Sequence, residues 1–330
     1  MNGIVIAVHR ERYEVKTEEQ KLYARLKSGV YYNQGTEKFP TVGDRVELQF
    51  YPNGDSMITK TLERKSYFSR QDPDVGMGEQ VVAANFDYVF LVMSLNQNFN
   101  LDRLERYLAQ AWQSGGTPVV ILTKADLCED LQEKMMQVEK IAPGVDIHAV
   151  SSVTGKGMEE VQAYLKVGKS VVLLGSSGVG KSTLVNVLAG EEVMETGEIR
   201  LADDKGKHTT THRQMIELPQ GAIIIDTPGM RELGIWEAQD GMSQAFSEIE
   251  ELISRCRFSN CSHGNEPGCA VHAALEDGSL DKKRWIRYQK LEKENRMRAA
   301  RNQLAEKRQQ KKNKCLHYKN KYDSIESSNV

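Results

Sequence analysis

Residues Gly175-Ser176-Ser177-Gly178-Val179-Gly180-Lys181-Ser182 have the types and spacing of a loop that holds phosphate. The glycines let backbone N–H groups turn inward onto phosphate oxygens, Lys181 reaches the β- and γ-phosphates, and Ser182 ligates Mg²⁺, with Thr183 completing the set. The chemistry on offer is binding of a nucleotide's phosphates together with Mg²⁺. Such a loop works only between a strand and a helix. Val171 to Leu174 is an apolar run that reads as a buried strand, and Ser182 to Leu188 reads as the start of a helix. The glycines therefore fall on a strand-to-helix turn with the positive end of the helix dipole behind them. A Gly/Ser-rich turn that binds nothing is the plainer alternative, but strand, loop, lysine and helix agree against it.

A phosphate loop names neither base nor reaction, and this one also resembles that of transporter-type ATPases. Downstream, Ala222 to Asp226 is an apolar strand ending in an acid and then in Thr227-Pro228-Gly229. That pattern predicts Asp226 near Mg²⁺ and the Gly229 N–H near the γ-phosphate. No Leu-Ser-Gly-Gly-Gln segment follows, and no Glu stands after Asp226, so the pattern favours a GTPase.

The base is read by Thr123-Lys124-Ala125-Asp126, at the end of the apolar strand Val119 to Leu122. A carboxylate at Asp126 accepts hydrogen bonds from guanine N1–H and the N2 amino group, and the Lys124 stem packs along the base. Ser151 and Ser152, after the apolar run Val145 to Val150, offer further contacts to the base. Thr123 stands where many GTPases carry Asn, which predicts the loss of some hydrogen bonding between this loop and the phosphate loop. The guanine signature also precedes the phosphate loop, the reverse of the ordinary order.

Between the phosphate loop and Asp226 lies Gly206-Lys207-His208-Thr209-Thr210-Thr211-His212. Thr209 or Thr210 can close over the γ-phosphate and complete the Mg²⁺ shell when GTP is bound. Lys181, Thr210 and His208 form the candidate catalytic set. Met230 follows Gly229 where many GTPases place a water-orienting Gln, so slow intrinsic hydrolysis is expected.

A second constellation is Cys256-x4-Cys261-x-His263-x5-Cys269. Three thiolates and an imidazole in a Gly- and Pro-interrupted stretch match a closed tetrahedral Zn²⁺ site. His272 reads as a neighbour of that site rather than a ligand.

Taken in order, the guanine signature, Ser151-Ser152, the phosphate loop, His208 to Thr211, Asp226 to Gly229 and the Cys/His cluster resemble the circularly permuted, ribosome-small-subunit-dependent GTPases of bacteria. The resemblance runs over nearly the whole chain. It implies an N-terminal OB-type β-barrel that binds RNA (1–67), a central α/β circularly permuted P-loop GTPase domain (68–235) and a C-terminal zinc-binding helical domain with a basic tail (236–330). It further implies GTP hydrolysis stimulated by the small (30S) subunit, binding to its rRNA late in its maturation, departure after hydrolysis, and GTP state coupled to the zinc domain. The expected cofactors are one structural Zn²⁺ and Mg²⁺ with GTP or GDP. Two rivals stay open: a guanine-nucleotide-binding RNA assembly factor that does not turn over, and an ATP-dependent P-loop enzyme.

The flanks can be read without that resemblance. Gly3 to Val8, Tyr13 to Lys16, Leu22 to Leu26, Asp44 to Phe50 and Ser56 to Leu62 alternate apolar and polar residues between turn residues, which suits a small β-barrel. Phe68 to Met77 reads as a linker. Asp87 to Ser94 then reads as a buried strand and Leu101 to Gln113 as an amphipathic helix, opening the strand-helix alternation of a parallel sheet covered on both faces. Five cysteines in 330 residues, without a leader, point to a reducing compartment, with Cys128 and Cys315 as free thiols. No apolar stretch has the ~18 residues of a membrane span. A soluble, cytoplasmic monomer is expected. Net charge is −2, but residues 281 to 314 carry 14 Lys/Arg against 4 Asp/Glu. Trp285, Tyr288 and Leu291 recur within that segment, which predicts a docked helix continuing as a basic arm for rRNA.

Overall fold

Alternating side chains over the first sixty residues build five strands, β1 (Asn2–Val8), β2 (Tyr13–Lys16), β3 (Lys21–Leu26), β4 (Arg45–Gln49) and β5 (Ser56–Thr61). In the computed structural model, which describes residues 1–9, 12–27, 39–71, 79–194, 213–226, 239–264, 266–297, 299–300 and 304, Val5, Val15, Ala24, Val46, Leu48 and Ile58 of these strands form a small core. The strands pair in the order β1-β2-β3-β5-β4, and β4 returns to β1, giving a closed five-stranded barrel of the expected OB type. Asp44 is fully buried at the barrel's end, where Arg64 pairs with it at 2.7 Å.

The segment read as a linker is partly strand. Tyr67–Gln71 is β6, paired antiparallel with β7 (Glu79–Ala84), and Phe68 is buried with its ring stacked on Phe86 at 5.0 Å. Its polar residues hid the signal, because a two-stranded ribbon needs little apolar alternation once one aromatic anchors it. The ribbon is tied closely to the barrel: Ala84 N donates to Val42 O, and Gly43, at φ +92°, approaches Ala84 O so nearly that a Cβ would lie 1.9 Å away.

Next come β8 (Tyr88–Ser94), α1 (Leu101–Gln113), β9 (Thr117–Thr123), α2 (Leu131–Ile141), β10 (Asp146–Ala149), α3 (Met158–Gln162), β11 (Ser170–Leu174), α4 (Lys181–Ala189), β12 (Arg213–Glu217) and β13 (Ile223–Asp226). The spatial order is β10-β9-β8-β11-β13-β12, parallel except for β12. Both faces are covered, which is why the strands read as near-continuous apolar runs. One core takes Leu104 and Leu108 of α1 with Val138 and Ile141 of α2; the other takes Val161 of α3 with Leu184, Val185 and Leu188 of α4. β12 also pairs antiparallel with β1, Ala7 opposite Gln214 and Val8 opposite Arg213, so barrel and GTPase strands form one eleven-stranded sheet.

The C-terminal part is helical: α5 (Gln239–Ala245), α6 (Ser247–Ser254), α7 (Ala270–Glu276) and α8 (282–297). α5 lies against α1, and a Cβ on Gly241 would sit 2.0 Å from Ala109 O, so glycine permits that approach. Trp285, Tyr288 and Leu291 of α8 are buried, as the spacing predicts. Among the described residues no helix is long and apolar enough to cross a membrane.

Candidate nucleotide site and metal centre

Leu174 ends β11 and Lys181 begins α4, so Gly175 to Gly180 form the turn between them. Gly178 and Gly180 adopt φ of +74° and +93°, a region that disfavours other residues. Gly175 passes so close to β8 that a Cβ would lie 2.5 Å from Val92 O. Lys181 Nζ folds back over the loop and donates to Gly175 O at 2.7 Å and Ser176 O at 2.8 Å. With those carbonyls occupied by the lysine, the loop's N–H groups remain for an anion. Ser182 is half-buried and Thr183 exposed in the first turn of α4.

The guanine signature sits beside this loop. Thr123 Oγ1 donates to Val179 O at 2.6 Å, and Lys124 Nζ donates to Gly178 O at 3.1 Å. The bonding expected to be lost with the Thr for Asn exchange is therefore present, because the buried hydroxyl is near enough to make the bond itself. Lys124 takes the left-handed conformation at φ +60°, which turns the chain into the short 3₁₀ segment Ala125–Leu127. Asp126 lies there, exposed and without an ion pair among the described residues. Ala125 N donates to Val150 O, joining the signature to the Ser151-Ser152 turn. Ser151 is buried, its Oγ accepting from Val153 N and Thr154 N at 3.3 and 3.1 Å, while Ser152 is half-buried. Residues 123–126, 151–152 and 175–183 thus converge at the C-terminal ends of parallel strands, the usual ligand end of an α/β sheet.

The Asp226 backbone ends β13 opposite Gln214 of β12. His208, Thr209, Thr210, Gly229 and Met230 lie outside the described residues. One residue at this end went unread in the sequence: Arg103 of α1, whose Nη1 donates to Ser176 Oγ at 3.0 Å. An amphipathic helix pattern consigns such an arginine to solvent, and nothing local marks its reach.

Cys256, Cys261, His263 and Cys269 bring four ligand atoms within 4.8 Å of one another, a set that can hold a metal ion. Cys256 Sγ lies 3.6 Å from His263 Nδ1 and 3.9 Å from Cys269 Sγ, and Cys269 Sγ lies 3.8 Å from His263 Nδ1. Ligands at about 2.3 Å (S) and 2.0 Å (N) around a tetrahedral ion stand about 3.5–3.8 Å apart, so the spacing suits Zn²⁺. His263 takes φ +59° to aim Nδ1 inward, and Trp285 of α8 packs edge-on against its ring at 5.6 Å. His272 donates its backbone N–H to Cys269 Sγ at 3.3 Å, while its ring faces Glu276.

A family model described as RsgA GTPase matches residues 61–236, more than half of the chain. A protein of Listeria monocytogenes named small ribosomal subunit biogenesis GTPase RsgA 1 is 50% identical over 309 residues, 94% of this chain and 88% of its own length. The chain belongs to the RsgA GTPase family. It is accordingly a GTP-hydrolysing enzyme. An RsgA of Vibrio parahaemolyticus is 44% identical over 306 residues, covering 93% of this chain and 82% of that protein. Among solved structures, YjeQ from Thermotoga maritima superposes with a TM-score of 0.67 at 30% identity, covering 89% of this chain and 98% of that one. YloQ, described as a circularly permuted GTPase, gives 0.64 at 24% identity over 90% and 95%, and supports the fold. An ABC transporter model also matches residues 158–320. That stretch includes the phosphate loop but has no Leu-Ser-Gly-Gly-Gln segment.

Proposed function

We propose that this RsgA-family GTPase acts in late maturation of the small ribosomal subunit, binding its rRNA and hydrolysing GTP when docked there. The observation that carries the nucleotide part is the pair of bonds from Thr123 Oγ1 and Lys124 Nζ to Val179 O and Gly178 O. They lock a guanine-reading turn onto a phosphate loop, so base and phosphates are gripped by one rigid unit. Asp126 reads guanine, Ser151 and Ser152 flank the base, and the loop Gly175 to Thr183 holds the phosphates. Ser182, with Thr209 or Thr210, ligates Mg²⁺, and Asp226 and Gly229 face its γ-phosphate side. Lys181 neutralises phosphate charge, and His208 and His212 are the in-chain candidates for help with water.

The three thiolates and His263 hold one structural Zn²⁺, which fixes the loop between α6 and α7 against Trp285 of α8. GTP state reaches that zinc-bearing part through α5, which comes after Asp226 to Gly229 in sequence and packs on α1. The division into 1–67, 68–235 and 236–330 fits this scheme. The barrel and the basic arm beyond α8 supply rRNA contact, and the protein works as a cytoplasmic monomer.

The experiment is GTP hydrolysis by the purified chain alone, with small subunits and with large subunits. A trans-supplied catalytic group is worth about 10³–10⁵ in rate, so small subunits should accelerate turnover by orders of magnitude and large subunits far less. Equal rates in all three conditions would sink the proposal. Binding of GTP with no hydrolysis on small subunits would instead identify a non-turning-over assembly factor.

A further inference from the structure

We propose that Arg103 is a guanidinium supplied in cis to the terminal phosphates of GTP, resting on Ser176 until nucleotide arrives. The inference rests on the reading of Gly175 to Ser182 as the phosphate loop. Arg103 is held in place from two sides. Asn100 caps α1 by accepting the Arg103 N–H at 2.9 Å, and Asn100 N donates to Met93 Sδ at 3.3 Å, pinning the helix start to β8 beside the phosphate-loop strand.

From there Nη1 donates to Ser176 Oγ at 3.0 Å, while the carbonyl of the same residue takes Lys181 Nζ at 2.8 Å. Two cations meet on one loop residue. Because Lys181 is the group that reaches the β- and γ-phosphates, Arg103 stands at that end of the cradle too. Other arginines on the adjoining helices are matched by acids: Arg106 with Glu294, Arg287 with Glu105 and Asp102, and Arg284 with Glu105 and Glu248. Arg103 has no ion pair among the described residues and spends one N–H on a neutral hydroxyl. A guanidinium carries five donors in a planar fork that suits phosphate oxygens, and a bond to an anion is roughly twice as strong as one to a hydroxyl, so the exchange is downhill.

In the reaction, the oxygen of water bonds to the γ-phosphorus as the bond to the β–γ bridging oxygen breaks. The electron pair leaves with GDP, and the water's proton goes to the released phosphate. Arg103 takes no proton in this step and stabilises charge on the transferring group, a task separate from the water orientation that Met230 cannot perform.

The test uses the full chain as Arg103→Ala and Arg103→Lys, with hydrolysis measured alone and on small subunits, and affinities measured for fluorescent GDP and for GDP with aluminium fluoride. Arg103→Ala should lower the rate by about 10²–10³-fold and abolish the gain in affinity from aluminium fluoride, as loss of one transition-state donor does. GDP affinity should change by less than about threefold, and Arg103→Lys should recover only part of the rate because it lacks the fork. A rate within threefold (a rough threshold) of the parent overturns the idea, as does a GDP affinity that falls in step with the rate, which would make Arg103 a brace for the loop. Failure of the unaltered chain to bind GDP would remove the phosphate-loop reading itself, and this inference with it.

Discussion

Arg284 of α8 donates from Nη1 to Glu105 Oε1 of α1 at 2.7 Å, with side-chain exposures of 7% and 1%. Arg287 donates to the other carboxylate oxygen, Arg284 Nε to Glu248, and Arg284 Nη2 to Ala245 O at 3.0 Å. One carboxylate thus joins the GTPase helix to the C-terminal helices. Buried charges are tolerated when matched, and removing one partner leaves the other stranded. Glu105→Ala should therefore destabilise the chain by about 3–5 kcal/mol. Urea unfolding of variant and parent checks this, and matching midpoints would remove the network's importance.

For the base, Asp126→Asn exchanges an acceptor for a group that also donates. GDP binding should weaken by about 10²-fold while xanthosine diphosphate gains, since two hydrogen bonds to a charged acceptor are lost, each worth about 1.5–3 kcal/mol. Competition between the two nucleotides reads the outcome directly. An unaltered preference for guanine would withdraw the assignment of Asp126.

The purified chain should carry close to one Zn²⁺ by elemental analysis, and Cys261→Ser or Cys269→Ser should lose it. Trp285 lies against His263, so loss of metal should shift tryptophan emission while nucleotide binding persists. Zinc-free protein prepared without chelators would count against the site.

Asp87 predicts an acid limb in stability. Burial pushes its carboxyl up, but Lys65, the amide and hydroxyl of Ser170, and Lys169 hold it down at about 2. An unfolded Asp titrates near 3.9, so this stabilisation is fully present above about pH 4 and is lost as pH falls toward 2. Asp87→Asn should lower stability at neutral pH and flatten its slope between pH 4 and 2. Denaturation midpoints across that range supply the measurement, and an unchanged slope would show the pairing to be inert.

Removing residues 305 to 330 should weaken binding to small subunits and reduce its salt dependence, because fewer phosphate contacts release fewer counterions. Hydrolysis without ribosomes should be almost untouched, the deleted stretch lying beyond every nucleotide motif. Titrations at several salt concentrations test this; a truncated chain with the parent's affinity and slope would exclude the arm.

Much of this architecture is written locally. The ends of α1 fall at Leu101 and Gln113, where the periodicity puts them, and the four residues of the Cys/His cluster, spaced within fourteen positions, come together in the fold as a set that can hold a metal ion. What stayed hidden depends on reach across the fold. Thr123 keeps its bond to Val179 because of where β9 ends, which residue type alone does not reveal. Arg103 and Ser176 are 73 positions apart, and Glu105 and Arg284 are 179 apart. β6 was lost because one buried aromatic among polar residues leaves no period to read.

The meeting of β1 and β12 has a consequence for how the chain avoids itself. An open sheet ends in a strand with unpaired N–H and C=O groups, a ready template for a strand from another molecule. Counted without the barrel, the GTPase sheet would end on β12. β1 takes part of that position at Gln214 and Arg213, and because β1 already belongs to a closed barrel it passes no open pairing row onward at that side. The barrel is thus a terminator of strand addition, and a GTPase unit cut away from it would carry a raw border prone to self-pairing.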